Sequence, residues 1–265
     1  MSSSFPGVAV VIGAESGDGR AVAHLLIQNG CTKLVVGGSD EGRLAEVVKE
    51  CHTLTQGHAE LQILGRKCNS REPRDVDELI AAAVARFGQI DYCANCERPD
   101  GFYGETTETP WATFTTAGER WQRAVWLAMR SEVRQFLAQK ANRQPSAASI
   151  VNVSAAHGLA SDPGFPGYSA AAHGIVGMSR ATALDHLSDG IRINCVCPGP
   201  SSPQTLSEQT QDGSVPRRSL PLAPLGREIT PDQVARAVVF LLGEASSAIT
   251  GIELPVDGGW SLRHH

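Results

Sequence analysis

The residue best suited to chemistry is a tyrosine at the start of a predicted helix, in the stretch GYSAAAHGIVG. A phenol can give or take a proton during catalysis, but its ordinary pKa near 10 leaves only about one tyrosine in a thousand ionised at pH 7. A lysine one helical turn after Tyr168 would lower that pKa, but the residue there is Ala172. The stretch therefore predicts an acid–base site with one part missing.

Two histidines close to Tyr168 are candidates for the missing role. His173 follows Ala172 directly, and adjacent helical residues point about 100° apart, so we expect it to miss the face that carries Tyr168. His157 precedes the helix and, as a histidine, titrates near neutral pH. We expect His157 to be a surface loop residue, with a role in proton transfer as the alternative.

A glycine-rich loop, GAESGDGR, follows the first apolar run. The spacing of Gly13, Gly17 and Gly19 lets a backbone turn tightly and approach a pyrophosphate at a helix N-terminus. The loop also carries Glu15 and Asp18. A carboxylate about 5 Å from a phosphate charge, at an effective dielectric constant near 20, repels it by roughly 3 kcal/mol before screening. Whether these carboxylates face the phosphate site or solvent stays open at this stage.

The seven cysteines include a CxxC pair, Cys93 and Cys96, and a CxC pair, Cys195 and Cys197. A four-thiolate zinc site is one interpretation. Small buried residues on parallel strands are the interpretation we favour, so no metal is expected. The odd number of cysteines, without a visible secretion signal, favours reduced thiols.

Composition limits the class of protein. The 265 residues carry a formal net charge of −5 and no basic run, which makes nucleic acid an unlikely partner. The early apolar run 8–12 is too short to cross a membrane and lacks a basic lead-in. We therefore expect a cytoplasmic protein.

Short apolar runs alternate with segments of helical periodicity, which predicts a doubly wound parallel α/β sheet in a single domain over residues 1–265. The predicted strands are 8–13, 33–38, 61–67, 90–95, 149–154, 191–197 and 251–256, and the predicted helices are 18–29, 41–51, 73–87, 118–141, 168–188 and 231–243. The proline-rich stretch 200–230 is predicted to be a lid or substrate loop. Its Arg217 and Arg218 either meet a phosphorylated substrate such as a coenzyme A ester or are solvated, and we favour solvation.

These motifs together resemble the short-chain dehydrogenase/reductase family. Beside the glycine loop, RFGQIDYCAN resembles the family's fourth strand, SIVNVSAAHG the fifth, GIRINCVCPG the sixth and ITGIELPVDGG the last. The resemblance implies a Rossmann-like sheet of seven parallel strands that binds a nicotinamide dinucleotide. It covers nearly the whole chain.

The resemblance also implies cofactor contacts, and several of them have changed. The adenosine-binding acid at the end of the second strand corresponds to Gly38, followed by Ser39 and Asp40, and the adenine-contacting aspartate corresponds to Asn69. The family's Asn-Asn-Ala-Gly turn reads Asn95-Cys96-Glu97-Arg98, whereas the Pro-Gly turn survives as Pro198-Gly199. We therefore predict a vestigial cofactor site at Gly13, Gly17, Gly19, Asn69, Asn95, Pro198 and Gly199, with no cofactor bound tightly.

Family catalysis uses an asparagine, a serine, a tyrosine and a lysine, and only the tyrosine is present. The corresponding residues are Ala128, Ala155, Tyr168 and Ala172. Ser154 is one residue early and, on a strand, should face the other way. Tyr168 is thus interpreted as a remnant of the site.

Two functions from different classes remain. The first is a degenerate subunit that pairs with an intact homologue in an NAD-dependent alcohol or 3-hydroxyacyl-CoA dehydrogenase, expected to be a hetero-tetramer with NAD bound in the active partner. Family members pair through the helices after the fourth and fifth strands, and the first of these predicts an apolar surface from Trp121, Val125, Met129 and Phe136. The second function is an enzyme of altered proton-transfer or redox chemistry that uses Tyr168 and His157.

Overall fold

Seven parallel strands form one sheet in the computed structural model, which describes residues 5–54, 61–98, 104–140, 148–199 and 223–263. The strands are β1 (Val8–Ile12), β2 (Lys33–Gly38), β3 (Gln62–Lys67), β4 (Tyr92–Asn95), β5 (Ser149–Val153), β6 (Arg192–Pro198) and β7 (Glu253–Val256). Their spatial order is β3-β2-β1-β4-β5-β6-β7, and every neighbouring pair is parallel. The predicted fold class is confirmed.

Strand β1 is apolar along its whole length because helices cover both faces of the sheet. All five residues of β1 are buried, and Val10 is in register with Val35 of β2 and Cys93 of β4. The chain winds outward in one direction from β1 to β3 and in the other from β4 to β7. This reversal between β1 and β4 leaves a crevice at the carboxyl ends of the strands, where α/β proteins of this type bind ligands.

The helices begin and end at recognisable residues. They are α1 (Gly17–Gln28), α2 (Glu41–Thr53), α3 (Pro73–Phe87), α4 (Trp111–Ala117), α5 (Arg123–Ala138), α6 (Pro166–Asp185) and α7 (Pro231–Leu242). Proline opens α3, α6 and α7, at a position where its missing N–H costs nothing. No helix in the described ranges combines the length and apolar character needed to span a membrane.

The prediction of one helix over 118–141 is wrong. The structure has α4 from Trp111 to Ala117, a π-helical turn over Gly118–Gln122, and then α5. A π turn inserts an extra residue into the helical repeat and often marks a functional site. The apolar period alone does not show it, because the flanking helices remain in line.

The apolar residues predicted to form a subunit interface on α5 lie in the chain's own core. Trp121, Val125, Met129 and Phe136 are each at most 1% exposed. The apolar side chains that α5 does present to solvent are Trp126 and Leu137, at 46% and 38% exposure. A helix that packs between its own sheet and a partner chain has two apolar faces. The apolar spacing in the sequence did not show which residues belong to which face.

The predicted lid falls mostly outside the described residues. Residues 223–230 are described, but 200–222, with Arg217 and Arg218, are not. The role of this stretch and the single-domain boundary 1–265 stay predictions.

The end of α7 is held by a buried arginine at the start of β6. The Arg192 guanidinium donates to the backbone carbonyls of Leu241 at 2.7 Å and Leu242 at 2.9 Å, and to Ser246 Oγ at 3.1 Å. Helix C-termini leave their last carbonyls without helical partners. Arg192 satisfies these carbonyls and fixes α7 against the sheet.

Replacing Arg192 with methionine is expected to lower the free energy of unfolding by about 3 kcal/mol, because several buried carbonyls lose their donor. Urea denaturation measures the change. The control Arg74→Met, at an exposed site on α3, should stay within about 0.5 kcal/mol of the unmodified chain. Equal effects of the two substitutions would refute this role for Arg192.

Candidate active site

The glycine loop forms a tight turn into α1. Gly13 has a φ of +77°, and the Ser16 hydroxyl accepts a hydrogen bond of 3.0 Å from the amide of Gly19 as the cap of α1. A side chain at Gly19 would overlap the carbonyl of Gly13. The loop therefore has the backbone geometry that the glycine spacing predicts.

Glu15 reaches from this loop to the end of β2. Its Oε1 accepts hydrogen bonds from the amide of Ser39 at 2.6 Å and from the Ser39 hydroxyl at 3.1 Å. A Cβ built on Gly38 would overlap the Glu15 carboxylate. Glu15 thus fills the space of the side chain that Gly38 lacks, and its Oε2 is buried without a hydrogen-bond partner among the described residues.

Asp18 does not face solvent. It lies in the first turn of α1, is 5% exposed, and pairs with the Arg98 guanidinium at 2.7 Å. A carboxylate there is stabilised by the helix dipole as well as by the arginine. The alternative of a solvated Asp18 is therefore wrong.

Glu97 lies across the first glycine of the loop. Its Cγ is 2.7 Å from the position that a Cβ on Gly13 would take, and its carboxylate accepts a hydrogen bond from the Ser70 hydroxyl. Burial, and to a smaller extent Glu15, raise the pKa of Glu97 above its ordinary value. The turn after β4 therefore places a bulky, partly buried acidic side chain against the glycine loop.

The other predicted cofactor contacts are engaged elsewhere. The Asn69 side-chain oxygen accepts from Arg71 Nε at 3.2 Å, and Asn95 is 2% exposed and points into the core. Gly199 is packed so closely that a Cβ there would lie 2.7 Å from the Cα of Asp257. The residues present do not fit a dinucleotide, because charged side chains fill the crevice that it would need.

Tyr168 lies inside a group of aromatic rings. Its ring centroid is 5.0 Å from that of Trp121, 5.2 Å from that of His157 and 6.4 Å from that of Phe165. Burial is the main cause that raises the pKa of Tyr168 above 10, and Asp18 raises it further while Arg98 opposes the shift. Family catalysis needs the opposite shift.

The three alanines at the other catalytic positions are buried. Ala128, Ala155 and Ala172 are 1%, 3% and 0% exposed, and the last two pack in one apolar cluster with Trp121 and Ile175. The nearby hydroxyl of Ser154 donates to the backbone carbonyl of Ala172 at 3.0 Å. Ala155 and Ala172 therefore lie in an apolar part of the core.

The expectation that His157 is a surface histidine is wrong. It is 8% exposed and stacks on Trp260 at 4.8 Å between ring centroids, and its Nε2 is 3.7 Å from the Asp162 carboxylate. The short 3-10 turn Ala156–Gly158 after β5 places it inward. As expected, His173 is exposed and turned away, with its Nδ1 2.9 Å from the carbonyl of Ser169.

Beneath the site lies a buried polar network that the sequence analysis missed. Asn95 Nδ2 donates to Glu132 Oε2 at 3.1 Å and to Asn152 Oδ1 at 2.9 Å, and Asn152 Nδ2 donates to Ser179 Oγ at 2.8 Å. Glu132 is 0% exposed, and burial raises its pKa from 4.5 to about 7. A signal existed in the sequence, since Glu132 stands four residues from Ala128 and from Phe136 on the apolar face of α5.

The four cysteines of the CxxC and CxC pairs are buried free thiols on β4, just after it, and on β6. Burial raises the pKa of each, that of Cys195 to about 12. In the part of the chain that the structure describes, no group of three or more histidine, cysteine or acidic side chains is placed to hold a metal ion.

Comparison with known proteins agrees with this architecture. A family profile described as enoyl-(acyl carrier protein) reductase matches residues 13–261. The chain belongs to the short-chain dehydrogenase/reductase family. It is 33% identical to a cyclohexanol dehydrogenase of an Acinetobacter species, over 99% of this chain and 98% of that protein. It is 32% identical to a short-chain dehydrogenase of Aspergillus ruber, over 97% of each chain.

Solved structures of the family superpose along almost the whole chain. Levodione reductase matches with a TM-score of 0.86 and 27% identity, covering 97% of this chain and 98% of that one. An actinorhodin polyketide ketoreductase solved with NADPH matches with a TM-score of 0.83 and 27% identity, covering 98% and 99%. The fold is thus retained in full, whatever has changed at the site.

Replacing Glu132 with glutamine is expected to stabilise the chain at pH 8 but not at pH 5. Since the folded-state pKa of Glu132 is raised, the folded chain holds a proton that the unfolded chain releases between pH 4.5 and about 7. The contribution of Glu132 to the free energy of unfolding therefore falls as the pH rises through that window, by roughly 3 kcal/mol in total. Urea denaturation at both pH values measures the difference.

Glu46→Gln, at an exposed position on α2, is the matched control and should show no such dependence on pH. A stability difference for Glu132→Gln that is the same at pH 5 and pH 8 would contradict the assigned pKa direction.

Proposed function

We propose that this chain is a degenerate short-chain dehydrogenase/reductase that turns over no alcohol by itself. It assembles with an intact homologue in an NAD-dependent alcohol or 3-hydroxyacyl-CoA dehydrogenase. The observation that carries the proposal is the apolar packing of Ala155 and Ala172 where the family has its serine and lysine. Alanine at these two positions therefore also changes the shape and the polarity of the site.

The expected loss of rate is large. Removing a positioned acid–base group costs on the order of 10² to 10⁴ in rate, and removing a polarising donor roughly 10² to 10³. Tyr168, the catalytic residue that is kept, has a pKa shifted away from the useful range by burial. A chain with these changes has little prospect of ordinary alcohol oxidation.

Assembly is supported by the surfaces that remain. On α5 and α6, the helices through which the family pairs, the apolar side chains Trp126 and Leu184 are 46% and 71% exposed and so available to a partner. A two-fold symmetric interface lets a related chain take the place of one protomer. The similarity to a cyclohexanol dehydrogenase and to levodione reductase supports a secondary alcohol or ketone as the substrate of the active partner.

The second candidate is an enzyme of altered chemistry. It is favoured by the burial of His157 against Tyr168, with Asp162 behind the imidazole. In this proposal His157 takes a proton from the substrate or from Tyr168, and Asp162 stabilises the imidazolium. The reaction would be a proton abstraction or an elimination.

Co-expression with an intact short-chain dehydrogenase encoded in the same genome is expected to give a stable complex, with NAD-dependent turnover that requires the partner. Trp126→Glu and Leu184→Glu should abolish co-purification, because they place charges on the proposed interface. Leu54→Glu, at a 39% exposed site at the end of α2, is the matched control and should not.

A stable homo-oligomer that oxidises or reduces substrates alone, with no co-purifying dehydrogenase, would refute the subunit proposal.

Tyr168→Phe is expected to leave the kcat of the purified complex unchanged, because this tyrosine serves packing in the proposed function. Steady-state kinetics on the complex test it, with His157→Gln as the companion variant. A loss of about 10² or more in both variants would instead support the altered-chemistry enzyme.

A further inference from the structure

Four charged side chains line the crevice between β1 and β4 and form hydrogen bonds or an ion pair there. They are Glu15, Asp18, Glu97 and Arg98. We propose that they form an internal plug, defined by these four residues, that occupies the crevice in place of a dinucleotide. The inference rests on the proposed function and deepens it, since it names the residues that exclude the nucleotide.

The adenosine half of the crevice is crossed by the two glutamates. Glu15 joins the loop after β1 to Ser39 after β2. Glu97, after β4, passes over Gly13 and reaches Ser70, which follows β3. In the strand order β3-β2-β1-β4, this second link spans the whole width of that half. A nucleoside there would have to displace both links.

The other half is closed by the ion pair of Asp18 and Arg98. The N-terminus of a helix attracts an anion, and in α1 Asp18 supplies that anion from within the helix. Arg98 neutralises Asp18 and also acts electrostatically on Tyr168. The ion pair therefore lies at the start of α1, where a pyrophosphate would have to bind.

The charge of the plug also opposes a nucleotide. Three carboxylates stand against one guanidinium, and Glu15 Oε2 has no hydrogen-bond partner in the described part of the crevice. A dinucleotide brings two more negative charges. Its entry would break the pair at Asp18, leaving a buried carboxylate without its cation, which is costly.

Calorimetry and thermal unfolding with NADH, on the full chain, test the plug. The unmodified chain should show no binding and no rise in melting temperature. The quadruple variant Glu15→Ser, Asp18→Ile, Glu97→Ala, Arg98→Gly removes all four plug side chains. It should bind NADH at least about tenfold more tightly and melt at a higher temperature in its presence. The variant Lys140→Ala, Asp189→Ala, which removes an ion pair at the far end of α5, should behave as the unmodified chain.

Micromolar binding of NADH by the unmodified chain would overturn the plug, as would a folded quadruple variant that binds no better. Where the quadruple variant does not fold, the milder changes Asp18→Asn and Arg98→Gln decide. Their combined loss in melting temperature should be smaller than the sum of the single losses, and additive losses would overturn the internal pairing. Binding is measured on the chain alone and assembly by co-purification, so either result can fail without the other.

Discussion

The reversal of strand order between β1 and β4 imposes the constraint on which the site depends. The two halves of the parallel sheet wind in opposite directions from the boundary between β1 and β4. The carboxyl ends of the strands there separate and leave a crevice above the sheet. Backbone amides at the start of α1 point into it. A sequence that adopts this fold must satisfy those amides with a ligand, with water or with its own side chains. Here Ser16 and Asp18 lie at that helix end, and Glu15 and Glu97 extend along the rest of the crevice.

Charge in such a crevice is held only where it is paired or hydrogen-bonded. Asp18 has Arg98, Glu15 has the amide and hydroxyl of Ser39, and Glu97 has the hydroxyl of Ser70. The acids and their partners together come from the ends of four different strands. The glycine loop and the turn after β4 are far apart in the sequence, but their side chains contact each other directly.

The sequence was sufficient to predict the parallel sheet and to single out the positions that correspond to the family's catalytic residues. Continuous apolar runs such as β1 predict buried parallel strands, and fixed spacing from Tyr168 identifies Ala155 and Ala172 without any coordinates. It was insufficient where the outcome depends on which distant residues meet. The pairing of Asp18 with Arg98 joins positions 80 residues apart, and the inward position of His157 depends on Trp260 near the other end of the chain. The sequence did not predict the π turn before α5, because a one-residue insertion leaves the apolar spacing almost intact.

In the proposed function, the aromatic surroundings of Tyr168 disfavour proton transfer in addition to the missing lysine. A phenol becomes an effective acid–base group where its phenolate is stabilised, by a cation, by donors or by water. Phe165 supplies none of these, and Ala172 leaves an apolar surface on the side of α6. Restoring lysine at position 172 alone would bury an ammonium group in an apolar cluster, which would lower the pKa of that lysine and favour its neutral form. The alanines and the aromatic rings thus form one packed unit, and a reversal of function would require replacing several of its members together.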